Sequence, residues 1–249
     1  MAKLNCNIVL AIIALVFVAA CSQQEPKPFT YSNYTFTETK LPIANDSSRS
    51  CSFTTSIPIL AGGNPVLVDS VNAFIAQHFF RKSSNSESLQ QMVKAEADSF
   101  YQSYLRDFEE FNQADFPLTY QYDLKLHVAF HNEKYLTLKN ENYDYMGGAH
   151  GNYSTLYYVF NRENGKQVRL AELYPDTVKL NSLAQQLFYK QKSIDTATEI
   201  NDQGYWFEKN KFSLNGNFGL LKDTLVFMFN PYEITSYAEG QTEIKIPLK

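Results

Sequence analysis

The residues best suited to chemistry lie in one glycine-rich stretch near the middle of the chain. Residues 143–160 are YDYMGGAHGNYSTLYYVF, in which His150 stands among Gly147, Gly148 and Gly151 between two aromatic runs. Glycines in such a cluster supply backbone of positive φ or let another group approach closely. A histidine in this setting can donate a hydrogen bond to a ligand carboxylate or a glycan hydroxyl.

Tyrosines crowd the same stretch, and their exposed members could stack on sugar rings or anchor a protein partner. The alternative is a purely structural loop between two strands, whose histidine ring packs on a neighbouring tyrosine and bonds a carbonyl. We predict no catalytic residue. The predicted ligand-binding residues are Gly147, Gly148, His150, Gly151, Tyr145 and Tyr153.

Catalytic and metal-binding motifs are missing from the sequence. It contains no GxSxG, SxxK, HExxH or CxxC pattern. His127 and His131 lie on the polar face of one predicted strand, about 13 Å apart at the usual rise per residue, too far to share a metal ion. Glu109 and Glu110 are adjacent on a helix and point in different directions, unlike a glycosidase pair. We therefore predict no metal and no cofactor.

The charge balance excludes one class of partner. The formal net charge is −4, and removal of the N-terminal segment with Lys3 lowers it to −5. Mild acidity without a basic run argues against nucleic acid and suits a cationic partner. About 225 remaining residues can bury a core as one large or two small domains.

The N-terminus predicts export and lipidation. Residues 1–20 have a short basic start and an apolar core too short for a membrane span, as a signal peptide does. The sequence VAAC that ends at Cys21 resembles a bacterial lipobox, so we expect a lipid anchor on this cysteine, with palmitate among its acyl chains. Residues 21–28 form a polar tether. By resemblance to sorting in two-membrane bacteria, Ser22 favours the outer membrane, and the sequence does not choose between its periplasmic and outer faces. Cys51 is left as a lone thiol, which we expect to be a small half-buried residue and not a nucleophile.

Hydrophobic periodicity predicts the elements that must position the central loop. Alternation over residues 118–130 predicts a strand with one buried face, and the run at 177–192 predicts an amphipathic helix. Asp69 is the expected cap of the first helix. The other predicted elements are a helix at 88–111, strands at 29–36, 52–60, 135–145, 154–160, 167–170 and 242–248, and a hairpin over 212–229 broken at 215–217.

The order of these elements predicts the fold class. Helices are separated from hairpins, which favours an α+β fold of antiparallel sheets with helices packed on one face. We predict two associated subdomains, an N-terminal one at residues 29–145 and a C-terminal one at residues 146–249.

Three motifs in the second half resemble a known family. They are YMGGAHG at 145–151, FN…NGK at 160–166, and NPYEI…YA.G at 230–240. Their order and spacing are similar to the RsiV-like C-terminal domain family. Its members are extracytoplasmic domains of lysozyme-sensing anti-sigma factors and of peptidoglycan deacetylases of the PdaC type. Residues 31–143 resemble the companion PdaC/RsiV-like N-terminal domain more weakly.

This resemblance implies binding more than catalysis, because it is to ectodomains and accessory domains of those proteins. We expect a lipid-anchored module of the cell envelope that recognises a lysozyme-type muramidase or peptidoglycan. Two alternatives stay open: an envelope glycan-modifying or peptidoglycan-modifying enzyme with His150 as its acid or base, and a structural subunit of an envelope complex.

Overall fold

A computed structural model describes residues 28–80, 88–111 and 116–248 of the chain. The predicted signal peptide, Cys21 and all of the tether except Pro28 lie outside the described residues. Within the described ranges, no helix is both long enough and apolar enough to cross a membrane.

The described residues form two sheets and four α-helices. The five-stranded sheet has the order β1-β2-β3-β4-β5 and the three-stranded sheet the order β6-β7-β8. The strands are β1 (Tyr31–Lys40), β2 (Arg49–Leu60), β3 (Leu118–His131), β4 (Tyr135–Met146), β5 (Asn152–Asn161), β6 (Phe218–Leu221), β7 (Thr224–Phe229) and β8 (Thr242–Pro247). The helices are α1 (Pro65–Phe79), α2 (Leu89–Phe111), α3 (Leu170–Leu173) and α4 (Thr177–Lys192).

The predicted α+β class is confirmed, with one difference in strand direction. β2 and β3 pair in parallel, with Arg49 opposite Leu118, whereas the other strand pairs are antiparallel. A parallel pair needs a long connection, and α1 and α2 supply it. Both helices pack on the core of this sheet through buried residues such as Val71 and Val93.

The first helix begins earlier than the sequence predicted. Asn64 is its N-cap, and its side chain accepts a hydrogen bond from the Val66 amide at 3.0 Å. Pro65 follows at the first helical position, where its fixed φ and missing N–H are both tolerated. Asp69, the predicted cap, lies inside the helix. Asparagine and proline together form the stronger start signal.

Two predictions in the second half are wrong. Residues 167–170 form no strand: Gln167 makes a single bridge to Phe160, and helix α3 follows. The predicted hairpin at 212–229 is shorter than expected. Its turn lies at Lys222 and Asp223, between β6 and β7, and the residues at 215–217 precede β6 instead of breaking the hairpin. The predicted strands and helices elsewhere agree with the structure within a few residues.

Strand β5 connects two hydrophobic cores. Tyr158 and Phe160 belong to the core under the five-stranded sheet, while Val159 belongs to the core between α4 and the three-stranded sheet. The division predicted at 145–146 falls within the last two residues of β4, which is paired with β5 in the same sheet. The bounds of the two subdomains stay a prediction.

Candidate ligand-binding surface

The glycine–histidine stretch is the exposed connection between β4 and β5. Gly147 and Gly148 have φ values of 84° and 95°, a backbone conformation that favours glycine. The hydroxyl of Tyr145 donates to the carbonyl of Gly148 at 3.0 Å, so this tyrosine stabilises the turn. An added Cβ at either of these glycines would meet no atom within 4 Å. The loop tip is therefore open.

His150 stacks on a tyrosine from the far end of the chain. The rings of His150 and Tyr237 lie 3.8 Å apart at an angle of 16°. The Tyr237 hydroxyl donates to the carbonyl of Gly151 at 2.7 Å, and Nδ1 of His150 lies 3.1 Å from the same oxygen. The tautomer with its proton on Nδ1 donates to that carbonyl. The imidazole is thus held flat against a ring that is itself anchored.

Two more tyrosines complete an aromatic cluster, which we define as His150, Tyr153, Tyr232 and Tyr237. The rings of Tyr153 and Tyr232 lie 5.6 Å and 5.7 Å from that of Tyr237. The Tyr232 hydroxyl is 3.5 Å from Nε2 of His150. Tyr232 is 55% exposed and has a φ of 67°, which a non-glycine residue rarely adopts. Residues held in sparsely populated backbone conformations cluster at functional sites.

Side-chain amides hold the two halves of the cluster together along the outer edge of β5. Asn230 accepts from the Thr155 amide at 2.7 Å and donates to the Thr155 carbonyl at 3.2 Å. Asn217 donates to that carbonyl at 2.7 Å and accepts from the Tyr157 amide at 3.0 Å. Gln241 donates to Asn230 and to Thr155. These bonds satisfy an otherwise unpaired strand edge and fix the segment that contains Tyr232 and Tyr237.

The electrostatic setting of the cluster is mildly acidic. The pKa of Tyr237 is raised, first by burial and then by its tyrosine neighbours, so its hydroxyl stays protonated at neutral pH. Glu233 accepts hydrogen bonds from Asn230 at 3.1 Å and from Asn215 at 2.7 Å. Asp144 accepts from Asn152 at 3.2 Å, but this pair lies on the face of the sheet opposite to Tyr153. The carboxylate beside the cluster is therefore that of Glu233, which follows Tyr232 in the chain.

The structure separates the predicted site residues into two groups. His150, Gly151 and Tyr153 meet at the aromatic cluster, whereas Gly147, Gly148 and Tyr145 form the adjoining turn. Prediction from the sequence missed Tyr232 and Tyr237. Both lie in the NPYEI…YA.G run that suggested the family resemblance, so the signal was present. No short-range sequence pattern indicated that this run would contact the glycine–histidine loop.

The other candidates are not assembled into a site. His127 lies 3.7 Å from a carboxylate oxygen of Glu141, and burial lowers the pKa of this histidine. In the described ranges, no three histidine, cysteine or acidic side chains are grouped as metal ligands would be. Cys51 is 4% exposed, and burial raises its pKa to about 12, so its thiol is protonated at neutral pH.

Known families match two separate segments of the chain. Residues 44–153 match the family described as "Deacetylase PdaC", and residues 172–249 match the family described as "Protein of unknown function (DUF3298)". These matches support the resemblance stated for the two halves. His150 and Tyr153 lie in the first segment, and Tyr232 and Tyr237 lie in the second. The aromatic cluster therefore forms where the two matched segments meet.

Two solved structures are similar to this chain over most of its length. A member of the DUF3298 family from Bacteroides fragilis has a TM-score of 0.74 and 25% identity, covering 89% of this chain and 91% of that one. A DUF3298 family protein from Pseudomonas aeruginosa has a TM-score of 0.54 and 16% identity, covering 90% and 91%. The second likeness shows the fold alone. No curated protein matches the chain.

Proposed function

We propose that this protein is a lipid-anchored, extracytoplasmic binding module of the bacterial cell envelope. It recognises cell-wall glycan or a lysozyme-type muramidase through the aromatic cluster. The lipid is attached at Cys21, and the outer membrane is the proposed location. Both family matches and the predicted N-terminal segment support the envelope part of this proposal.

The aromatic cluster is the observation on which the binding role depends. Four rings from two distant segments meet on a partly exposed surface, and Tyr232 presents more than half of its area to solvent. A tyrosine ring offers an apolar face with a polar tip, which suits the C–H face and hydroxyl groups of a sugar. Convergent polar groups beside such a ring orient a ligand. Peptidoglycan is the ligand that this chemistry favours.

A cationic muramidase is the second candidate, and the charge of the surface supports it. Glu233 and Glu239 are exposed beside Tyr232 and Tyr237, and the net charge without the N-terminal segment is −5. Complementary charge raises association rates and selects partners. Exposed tyrosines are also frequent hot spots of protein interfaces.

Catalysis by His150 has less support from the geometry. Its ring contacts are the Tyr237 ring, the Gly151 carbonyl and the Tyr232 hydroxyl. A general base needs a partner that orients it and tunes its pKa, and a carboxylate commonly does so. No carboxylate of the described residues is hydrogen-bonded to this ring. Turnover that is pH-dependent and lost in His150→Ala, while folding is kept, would favour the enzymatic alternative.

Binding measurements on a matched pair of variants test the proposal. Calorimetry with soluble muropeptides and with c-type lysozyme should show binding to at least one of them. Tyr232→Asn should weaken that binding at least tenfold, because asparagine keeps the positive φ but removes the ring. Tyr31→Asn is the control, since Tyr31 is 42% exposed on β1 and lies outside the cluster. No detectable binding to either ligand contradicts the proposal.

A separate experiment tests the anchor. Cells that express the full chain are labelled with radioactive palmitate. We expect label on the wild-type protein and none on Cys21→Ala, and only the wild type should sediment with membranes. Label retained by Cys21→Ala would contradict the proposed lipidation site.

A further inference from the structure

Strand β8 has an open backbone edge. In the described part of the chain it pairs only with β7. The Leu248 amide donates to the Asp223 carbonyl at 2.6 Å, in the same antiparallel register as the strands. Hydrogen-bonded positions alternate along such a pair. The even-numbered residues of β8 therefore bond to β7, and the backbone groups of Glu243 and Lys245 point outward.

An apolar groove runs beside this edge, between α4 and β8. It has a volume of about 860 Å³ and ends near α3. A smaller groove of about 520 Å³ continues it along Glu243 and Lys245. Leu187 lines both grooves. The remaining apolar lining is Leu173, Tyr174, Leu183, Ile246, Pro247 and Leu248.

Lysines mark the two ends of the groove. Lys179 and Lys190 line it from the same helix, eleven residues and about 16 Å apart along the axis. Neither forms an ion pair with another described residue. Lys245 is paired with Glu243 at 2.6 Å, so the local balance stays positive. The groove is thus apolar along its length and basic at its ends.

We propose that the α4–β8 groove binds an extended, acidic peptide segment of a partner protein, which adds to the sheet as a fourth strand beside β8. The outward amides and carbonyls of Glu243 and Lys245 pair with the peptide backbone. Alternate apolar side chains of the peptide enter the groove, and its flanking acidic residues meet Lys179 and Lys190. In this mode of recognition, main-chain hydrogen bonds at the strand edge give affinity, and pockets for alternate side chains give specificity.

Charge argues against a second copy of this chain as the occupant. The only acidic residue of β8 is Glu243, which is already paired with Lys245 at 2.6 Å, so a second β8 strand would bring no free carboxylate to the groove and would leave Lys179 and Lys190 unpaired. Lysine on an edge strand is a common device against such self-association. A partner strand of opposite charge removes this cost and gains complementary contacts.

The test uses a phage-displayed library of random ten-residue peptides and the mature protein. We expect enriched sequences that alternate apolar and other residues and are net acidic. Their synthetic versions should bind at least tenfold more weakly to Lys245→Pro than to Lys245→Ala. The Lys245 N–H points outward, so proline removes a donor to the peptide without breaking the β7 ladder. Leu187→Arg should also abolish binding.

Control variants and a second readout keep the result interpretable. Val178→Gln changes an α4 residue that is 78% exposed and outside the groove and leaves the charge unaltered, so this variant should bind the peptides normally. Thermal unfolding should show that Lys245→Pro is folded. If this variant is unfolded, two other measurements test the proposal: loss of peptide binding in Leu187→Arg, and slower hydrogen exchange of the Glu243 and Lys245 amides when the peptide is bound. The proposal is overturned if the library yields no binders or if the protein dimerises through β8. It is also overturned if the peptides bind Lys245→Pro and Leu187→Arg as tightly as they bind the wild type. None of these outcomes depends on the aromatic cluster.

Discussion

Gly151 lies where the two halves of the aromatic cluster approach each other. It is buried, and its carbonyl accepts the Tyr237 hydroxyl. A Cβ added here would lie 2.5 Å from the Tyr143 hydroxyl oxygen and 2.6 Å from two ring carbons. No real contact is that short, so only glycine lets Tyr143 keep its position. This close approach, and not a positive φ, explains the third glycine of the loop.

We predict that Gly151→Ala lowers the free energy of unfolding by about 1–3 kcal/mol, the usual cost of forcing extra volume into a packed site. Urea unfolding measures the change. Gly216→Ala is the matched control, because a Cβ there meets no atom within 4 Å. The control should stay within about 0.5 kcal/mol of wild type, as exposed substitutions usually do. Equal effects of the two substitutions would show that Tyr143 is not constrained.

At the scale of elements, β5 is an edge strand whose outer side is covered by side-chain amides. Asn217 and Asn230 satisfy the backbone of Thr155 and Tyr157, as a sixth strand would. Further along, Val168 donates to the carbonyl of Val159 at 2.7 Å. The edge is therefore closed to other chains, unlike that of β8. The same bonds attach the second sheet to the first.

We expect Asn217→Ala to destabilise the protein by about 1–3 kcal/mol, because it leaves the Thr155 carbonyl and the Tyr157 amide without this partner. Chemical denaturation measures the loss. Asn152→Ala is the control: its side chain is exposed and bonds only Asp144 in the described structure. A loss no larger than that of the control would mean that water replaces the amide of Asn217.

At the scale of the whole molecule, the two cores share β5 and should not unfold separately. Leu138 is fully buried in the first core and Phe227 in the second. The hydroxyl of Thr137 on β4 also donates to the carbonyl of Leu220 on β6, at 2.7 Å. These shared contacts predict a single cooperative transition.

Scanning calorimetry tests this prediction with one substitution in each core. Leu138→Ala and Phe227→Ala should each cost about 2–5 kcal/mol and shift the entire peak to lower temperature. Two resolved peaks, only one of which moves with each substitution, would contradict the cooperative picture. They would instead support two independently folding subdomains.

Local pattern was enough to predict most elements of this protein. Alternation over β3 places Leu124 and Leu126 in buried environments, and the predicted helix at 177–192 has the bounds of α4. The glycines at 147 and 148 do adopt positive φ. These features depend on residues close together in the chain, so periodicity and backbone preference are sufficient to predict them.

Only the tertiary structure decided how those elements meet. The parallel pairing of β2 with β3, the amide cover on β5 and the stacking of Tyr237 on His150 join residues far apart in sequence. Each of these contacts depends on the register between strands and on the sheet edge at which a later segment of the chain packs. The periodicity of neighbouring residues does not contain that information. The motif at 145–151 and the run at 230–240 were both visible in the sequence. That they form one surface follows from the packing of two sheets around β5.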